Sequence, residues 1–430
     1  MSTSASSLWQ HPDFLRLWVG QTISKLGSVV TRTAVPLVAI LVLGAGPWEL
    51  AVLVIVQSLG ILIVGLIAGA WVDRLRRRPL LIWDDLLRAA LLLSIPVAYA
   101  FGTLRIEHLY LVVFLASCLG ALFDAAYPAY VPTLIGRDRL VEGNSKLATS
   151  SSIAEIGGPS FAGGLVQLVS APFAILVDAI SFIVSAVSLL LIRAPEPSHP
   201  PRETRTRIVQ EIAVGLRSVR HHPIVFPLAA RSVPGHVFGA FYGVLYSIYL
   251  LRELHLDPFL LGIVISAGGV GSLVGSLFAS RVVNALGIGP TLVGMAIASS
   301  ILGVLTPLAQ GPVAVATLML LLPQLIGDGM QTIEGVAELS LIQGVTPDGI
   351  LGRVNATLDV VAHGVGYPLG ALVAALVADQ IGVRGAIAIG WAGMALSILF
   401  VVFSPVPRLR AASDFVEAHP AEAGRTRATP

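Results

Sequence analysis

A chain of 430 residues in which 55% are hydrophobic and only 12% are charged lies well outside the usual soluble composition. Its near-balanced charge, a formal net of +2, gives no basis for nucleic-acid binding. Its single cysteine, Cys118, excludes an internal disulfide and any cysteine-rich metal site.

The opening stretch, MSTSASSLWQHPDFLRLWVG, lacks the basic region and small-residue cleavage site of a secretory signal, so the first span is expected to direct insertion itself. Apolar runs then predict twelve spans, at about residues 15–43, 49–71, 80–102, 108–135, 141–168, 172–193, 223–251, 258–284, 290–309, 313–345, 351–378 and 383–404. The second is the plainest. Leu50 to Val72 carries no charged residue, and about 20 apolar residues rising about 1.5 Å each suffice to cross a bilayer. Trp48 and Trp71 flank it about 34 Å apart, which suits anchors in the two interfacial regions.

Between spans two and three, GAWVDRLRRRP (Gly69 to Pro79) concentrates Asp73 with Arg74, Arg76, Arg77 and Arg78. With a cytoplasmic N-terminus these arginines, and also Arg137, Arg139, Lys146 and Arg353, fall on the cytoplasmic side. The outer loops then keep little beyond Arg105, Arg252 and Arg384. That asymmetry is the positive-inside pattern, and it predicts a multi-pass membrane protein with both termini cytoplasmic; the arginine-heavy, lysine-poor usage points to a bacterial source, so the membrane is read as a bacterial plasma (inner) membrane.

Residues 194–222 break the apolar pattern, opening Pro-rich and turning into a basic amphipathic helix with Ile208, Ile212, Leu216 and Val219 on one face. The predicted organisation is a six-helix bundle over 1–193, this cytoplasmic linker over 194–222, a second six-helix bundle over 223–406 and a cytoplasmic tail over 407–430. The fold class is an all-α integral membrane protein of twelve transmembrane helices in two pseudo-symmetric bundles. A shift of about 210 residues lays LIGRDRLVEGNSK over IQGVTPDGILGRVN, sets Pro159 near Pro368, and puts Asp124 opposite Glu334. Such duplication is typical of secondary transporters, whose substrate site lies between repeats.

The loop between spans two and three resembles the major facilitator superfamily pattern Gly-x-x-x-Asp-Arg-x-Gly-Arg-Arg/Lys. It reads Gly69, Asp73, Arg74, Arg77 and Arg78 here, with Arg76 in place of the second glycine. Further stretches, FLRLWVGQTISKLGS, RRPLLIWDDLLRAALLLSIP, LVEGNSKLATSSSIAEIGGP and FAILVDAISFIVSA, are similar to the branch containing enterobactin exporters and macrolide-efflux proteins. The resemblance implies that the loop aspartate meets a helix N-terminus of the other half and that the loop acts as a gating latch; a carboxylate there is favoured by up to about 1 kcal/mol. It also implies an exporter-type packing element in span five, GGPSFAGG, through Gly158, Pro159 and Gly163, with Ala162 as a departure. Close packing alone is the other reading of those small residues.

A charge at the bilayer centre costs about 2.5–3.5 kcal/mol on insertion scales, so each needs a reason. Gln324, Asp328, Gln331 and Glu338 trace one face of span ten with Glu334 beside them, and Gln21, Lys25, Ser28 and Arg32 trace a stripe on span one. The resemblance places spans one, four, seven and ten around the central cavity. Burial disfavours an ionised carboxylate and a nearby cation favours it. Asp124, Asp328, Glu334 and Glu338 are therefore candidates for proton coupling, switching as Lys25 or Arg32 moves or as a cationic substrate arrives. A fixed charge network and direct substrate contact are the alternatives. Span four lacks the arginine of many drug exporters. Phe238, Tyr242 and Tyr246 on span seven are candidates, with Gln21, Lys25, Arg32 and Gln331, for lining a cavity; packing is the other reading of the aromatics. His363 and Asp359 form an i,i+4 pair that carries little by itself, and Asp178 reads as structural.

No nucleophile–base pair, metal-ligand cluster or Gly-x4-Gly-Lys-Ser/Thr loop stands out, so neither an enzyme nor an ATP-driven pump is expected, and no catalytic or metal-binding residue is assigned. The reading is a monomeric proton antiporter that needs no cofactor beyond the proton gradient. It exports amphipathic antibiotics, macrolides or siderophores across the lipid bilayer. The alternatives are an importer of the same fold, a non-transporting receptor or scaffold, and a lipid flippase.

Overall fold

The computed structural model describes residues 7–72, 75–195, 216–411 and 413–414, and everything regular in them is helical. The chain divides into two compact units. The first contains α1 (Pro12–Leu37), α2 (Pro47–Val72), α3 (Arg77–Ala100), α4 (Ile106–Ile135), α5 (Leu140–Val169), the short α6 (Ala171–Ala174) and α7 (Leu176–Leu191). The segment Asp257–Ser266 also belongs to it. The second unit contains α8 (Val225–Ile248), the rest of α9 (Pro258–Leu286), α10 (Ile288–Gly303), α11 (Leu305–Leu308), α12 (Val313–Leu322), α13 (Asp328–Val345), α14 (Asp348–Asp359), α15 (Tyr367–Ser397) and α16 (Leu399–Val402).

Among the described residues, eight helical stretches are long and apolar enough to cross a bilayer. The last of them, Ile350–Val402, passes through Gly382, where a φ of 80° breaks the helix. Of the amphipathic helix expected over the linker, Ile208 and Ile212 lie outside the described residues. Residues 216–221 are helical, with Val219 buried and Leu216 exposed.

Two local irregularities recur at one offset. A π-helical turn closes α1 at Val38–Val42, and another closes α8 at Tyr249–Glu253, each residue 211 positions after its counterpart. Ser170 turns the chain between α5 and α6 with φ 80° and ψ 158°. Gly382, 212 positions later, has φ 80° and ψ 165°. A left-handed residue is uncommon outside glycine, so its return at the repeat distance carries the internal duplication into backbone geometry. Further π-helical turns, Pro323–Gly327 and Val360–Gly366, interrupt the helices around α13 and α14. Such turns are often found at functional sites.

In lipid, apolar side chains gain little by leaving one hydrocarbon for another, so helices associate by close packing and small residues. In the first unit α1 packs on α5 and α7, α3 on α4 and α7, and α2 on α4. Leu8, Phe14, Leu17, Leu81, Phe123, Tyr130 and Leu189 form a shared cluster there. In the second, α15 packs on α8 and α10 on α13, with Ile224, Leu228, Leu292, Leu341, Val345 and Val406 clustered together. The α8–α15 seam is tight enough that a Cβ on Gly370 would stand 2.1 Å from the Val237 carbonyl oxygen. Gly370→Ala is therefore expected to cost about 1–3 kcal/mol by overpacking, read as a lower thermal unfolding midpoint in detergent. Gly294→Ala, where nothing lies within 4 Å of the added atom, serves as the neutral control.

Candidate functional site

The second unit holds a cavity of about 580 Å³ walled by α8, α10, α13 and α15. Its charged wall is built by α13. The π-helical turn Pro323–Gly327 ends where α13 begins, and Gln324, Asp328, Gln331, Glu334 and Glu338 all reach the cavity. Gly268 of α9 makes room for them, since a Cβ there would fall 2.2 Å from Asp328 Oδ2 and 2.5 Å from Gln324 Oε1. Arg231 of α8 is the cation of this wall. Its guanidinium pairs with Glu334 and lies 3.3 Å from Glu338. Glu334 is only 5% exposed, so its carboxylate has little access to any other counter-charge. Two carboxylates thus share one guanidinium, with Asp328 as a third acid on the same cavity.

The aromatic stripe of α8 divides. Tyr242 lines the cavity. Tyr246 accepts a hydrogen bond at 3.2 Å from Gln324 Nε2, itself a wall residue. Phe238 turns away onto α15, with its ring against Gly393 and beside Phe241 at 5.8 Å between centroids. It packs, and the cavity role expected of it is corrected: the glycine opposite leaves a slot that the ring fills.

In the first unit the span-one stripe meets partners that the sequence reading did not assign. Arg32 pairs with Glu155 of α5, and Lys25 Nζ lies 3.8 Å from the same carboxylate. Glu155 lies on the α5 face against α1, whereas Glu334 already has Arg231 within its own unit. Gln21 belongs to a buried network. Its amide donates to Ser185 Oγ at 2.9 Å, and that hydroxyl donates to Asp85 Oδ2 at 2.6 Å. Asp84 and Asp85, 2% and 0% exposed, both face Arg88, at 2.5 and 3.5 Å. The Arg88 guanidinium also lies over the rings of Phe182 and Phe123, at 4.4 and 4.7 Å. Asp178 is buried with Ser181 Oγ donating to it at 3.0 Å, which fits a structural role. Asp124 is exposed on α4 and close enough to Asp84 to repel it.

The spacing of Asp84, Asp85 and Arg88 on one apolar helix was the available signal for that network, and Glu155 was the one carboxylate in the middle of its span.

Of the gating motif, Asp73 and Arg74 lie outside the described residues, and Gly69 falls within α2. Arg77 donates to the Ala129 carbonyl at 2.8 Å, and Arg78 donates to the carbonyls of Leu189 and Leu190 at 2.9 and 2.8 Å. A cation on the last carbonyls of α7 suits the negative end of that helix. In the span-five element, a Cβ on Gly158 would strike Val29 of α1, and one on Gly163 would stand 2.2 Å from the Pro258 carbonyl oxygen. Ser160 and Ser266 join their hydroxyls at 2.7 Å beside it. These residues hold backbones close together.

Breaking the Arg231 pair gives a direct check on the charged wall. Arg231→Met leaves the Glu334 carboxylate buried and unpaired, at an expected cost of about 3–5 kcal/mol, and adding Glu334→Gln is expected to restore most of it. Thermal midpoints of the two single variants and the double variant close the cycle.

The description "Transmembrane secretion effector" belongs to the family that matches residues 3–424. Among curated relatives, the multidrug efflux pump Tap of Mycolicibacterium fortuitum is 27% identical over 84% of this chain and 88% of its own. Macrolide efflux protein A of Streptococcus pyogenes is 22% identical over 86% and 90%. Against the MFS-type transporter YvqJ of Bacillus subtilis the match spans 57% of this chain and 59% of that protein. Among solved structures, a bacterial homologue of the iron transporter ferroportin in an inward-facing state superposes with a TM-score of 0.72 at 17% identity. It covers 91% of this chain and 98% of that one, which speaks for the fold alone. The apolar helices, the recurring backbone geometry and the match across nearly the whole length lead to one conclusion: the chain belongs to the transmembrane secretion effector family of major facilitator transporters, which are membrane transporters and not enzymes.

Proposed function

We propose that this protein is a proton-coupled exporter of amphipathic small molecules, antibiotics, macrolides or siderophores among them, working by alternating access. The observation that carries the reading is Arg231 held between Glu334 and Glu338 on the cavity wall. Two carboxylates on one guanidinium leave one negative charge, and Asp328 adds another nearby. A proton, or a cationic group on the cargo, completes the balance. A proton and a cargo that compete for the same carboxylates exchange for one another. Each pH unit across the membrane supplies about 1.4 kcal/mol to such an exchange, and each charge moved through 100 mV about 2.3 kcal/mol more.

The cargo class is supported by the cavity's mixture of aromatic and polar walls. Tyr242, Trp391 and Met394 offer apolar surface, while Gln324 and Gln331 offer hydrogen bonds. It is supported as well by the names of two relatives, a multidrug efflux pump and a macrolide efflux protein. Adding α3, α5 and α8 to the eight apolar stretches, and dividing the last at Gly382, gives the twelve passages and six-helix halves of this reading. The linker over 194–222 and the tail over 407–430 then lie in the cytoplasm. No cofactor is needed beyond the proton gradient, the protein acts as a monomer in the bacterial plasma membrane, and both termini are cytoplasmic. Lys25, Arg32 and Glu155 would tune the cargo's path in the first unit, and Asp124 is the second candidate for the coupling proton. The loop of Gly69, Asp73, Arg74, Arg77 and Arg78 serves as the latch.

The test is an efflux panel in a transporter-depleted bacterial host. Wild-type protein is expected to lower accumulation of at least one macrolide or amphipathic antibiotic and to stop doing so when an uncoupler collapses the gradient. Glu334→Gln is expected to reduce coupled efflux at least about tenfold, the loss of roughly 1.4 kcal/mol of coupling. Asp124→Asn measures what the other candidate adds. Efflux that survives the uncoupler and both substitutions rejects proton coupling.

A further inference from the structure

The coupling reading makes no use of three side chains where the middle of α8 meets the end of α14 and the turn after it. His236 of α8 and His363, in the π-helical turn after α14, face one another with their Nε2 atoms 3.2 Å apart and their rings at 75°. Each ring is fixed from behind. His236 Nδ1 lies 2.8 Å from the Ser232 carbonyl oxygen, and His363 Nδ1 lies 2.9 Å from Asp359 Oδ1.

Counting hydrogens decides what this arrangement holds. A carbonyl oxygen and an ionised carboxylate can only accept, so both Nδ1 atoms carry a hydrogen. The bond between the two Nε2 atoms needs a third. Three hydrogens on four ring nitrogens make one imidazole and one imidazolium. A neutral pair has only two, and it keeps at most two of the three contacts. Either two Nε2 lone pairs oppose each other across 3.2 Å, or a bare Nδ1 faces its own acceptor. The Ser232 hydroxyl, 3.3 Å from His236 Nδ1, does not relieve this, because the carbonyl oxygen is closer and would meet the bare nitrogen.

We propose that His236 and His363 form a proton-binding site, one proton shared between their Nε2 atoms, that ties α8 to the turn after α14 when occupied and frees it when empty. The charges facing His236 are Asp359, His363 and Arg231. Asp359 balances the shared proton. Arg231 opposes it, but is itself held by Glu334 and Glu338. His236 also lines the cavity, so the state of the pair is set on the same wall as the charged cluster.

The same nitrogens, 3.2 Å apart, would also suit two ligands of a tetrahedral metal ion bound at about 2.0–2.1 Å. Among the described residues, however, no group of three or more His, Cys, Asp or Glu side chains could hold a metal ion. Asp359 is occupied at His363 Nδ1. A proton needs only the two.

The site is a property of the folded protein and is tested without transport, so its failure and the failure of proton-coupled export are separate results. Purified full-length protein in lipid nanodiscs is followed by hydrogen–deuterium exchange across residues 356–370 from about pH 5 to 8, corrected for the intrinsic chemical rate. Protection in the wild type is expected to fall about fivefold as pH rises, the loss of one hydrogen bond. His236→Phe should lower protection at every pH. His363→Lys, a permanent donor, should keep protection and flatten the profile. Ring-nitrogen NMR of 15N-histidine wild-type protein reads the shared proton directly and needs no variant to fold. A flat wild-type profile, a profile unchanged in His236→Phe, or ring nitrogens with no imidazolium at acid pH would overturn the proposal. A transition abolished by a chelator and restored by Zn²⁺ would overturn it in favour of a metal site.

Discussion

An ionised side chain within a membrane span is tolerated only beside an opposite charge or a set of hydrogen bonds, because no water in the hydrocarbon can take their place. That constraint organises both units. Arg88 serves Asp84 and Asp85, Glu155 serves Lys25 and Arg32, and Arg231 serves Glu334 and Glu338. In none of the three do the charges cancel one for one. The exposed cluster of the first unit carries a surplus cation, and the cavity cluster of the second carries surplus carboxylate. Excess charge in a low-dielectric setting is costly, so the buried surplus around Arg88 and Arg231 is where the electrostatic demand on the fold is greatest.

The charged groups can meet only because small residues let the helices approach. A Cβ on Gly27 would collide with Ser181 and with Asp178, and one on Gly268 with Asp328 and Gln324. The polar network on α7 and the acidic wall on α13 therefore sit opposite glycine. The same device operates with no charge involved at the α8–α15 seam. Packing and electrostatics are in this sense one problem: where backbones come within reach, short polar side chains bond, and elsewhere the lipid-facing surface stays apolar. Phe238 and Tyr242 show the division on a single helix, four residues apart, one filling a glycine slot and the other lining a wall.

The duplication is better preserved in backbone irregularities than in side chains. The π-helical ends of α1 and α8 and the left-handed turns at Ser170 and Gly382 keep their offset, while the chemistry around them has diverged. Asp124 and Glu334, aligned in the repeat, stand in different settings: the first is exposed near Asp84, the second buried against Arg231. Backbone breaks fix where helices end and tilt, which both halves need.

Much of the architecture was readable from the chain itself. Apolar run lengths located the helices to within a few residues, as a comparison of 49–71 with Pro47–Val72 or of 313–345 with Val313–Val345 illustrates. The repeat offset of about 210 and the family were also legible, because span length, glycine and proline positions and loop charge are local properties. The pairing of charges was not. Helical spacing places Gln21, Lys25 and Arg32 on one face but is silent about which helix lies opposite. Only the packed structure gave Lys25 and Arg32 to Glu155, tied Gln21 through Ser185 to Asp85, and brought His236 to His363 across 127 residues of sequence. Contacts between helices depend on how neighbouring surfaces interlock, a property of the assembled bundle that no single helix's periodicity contains.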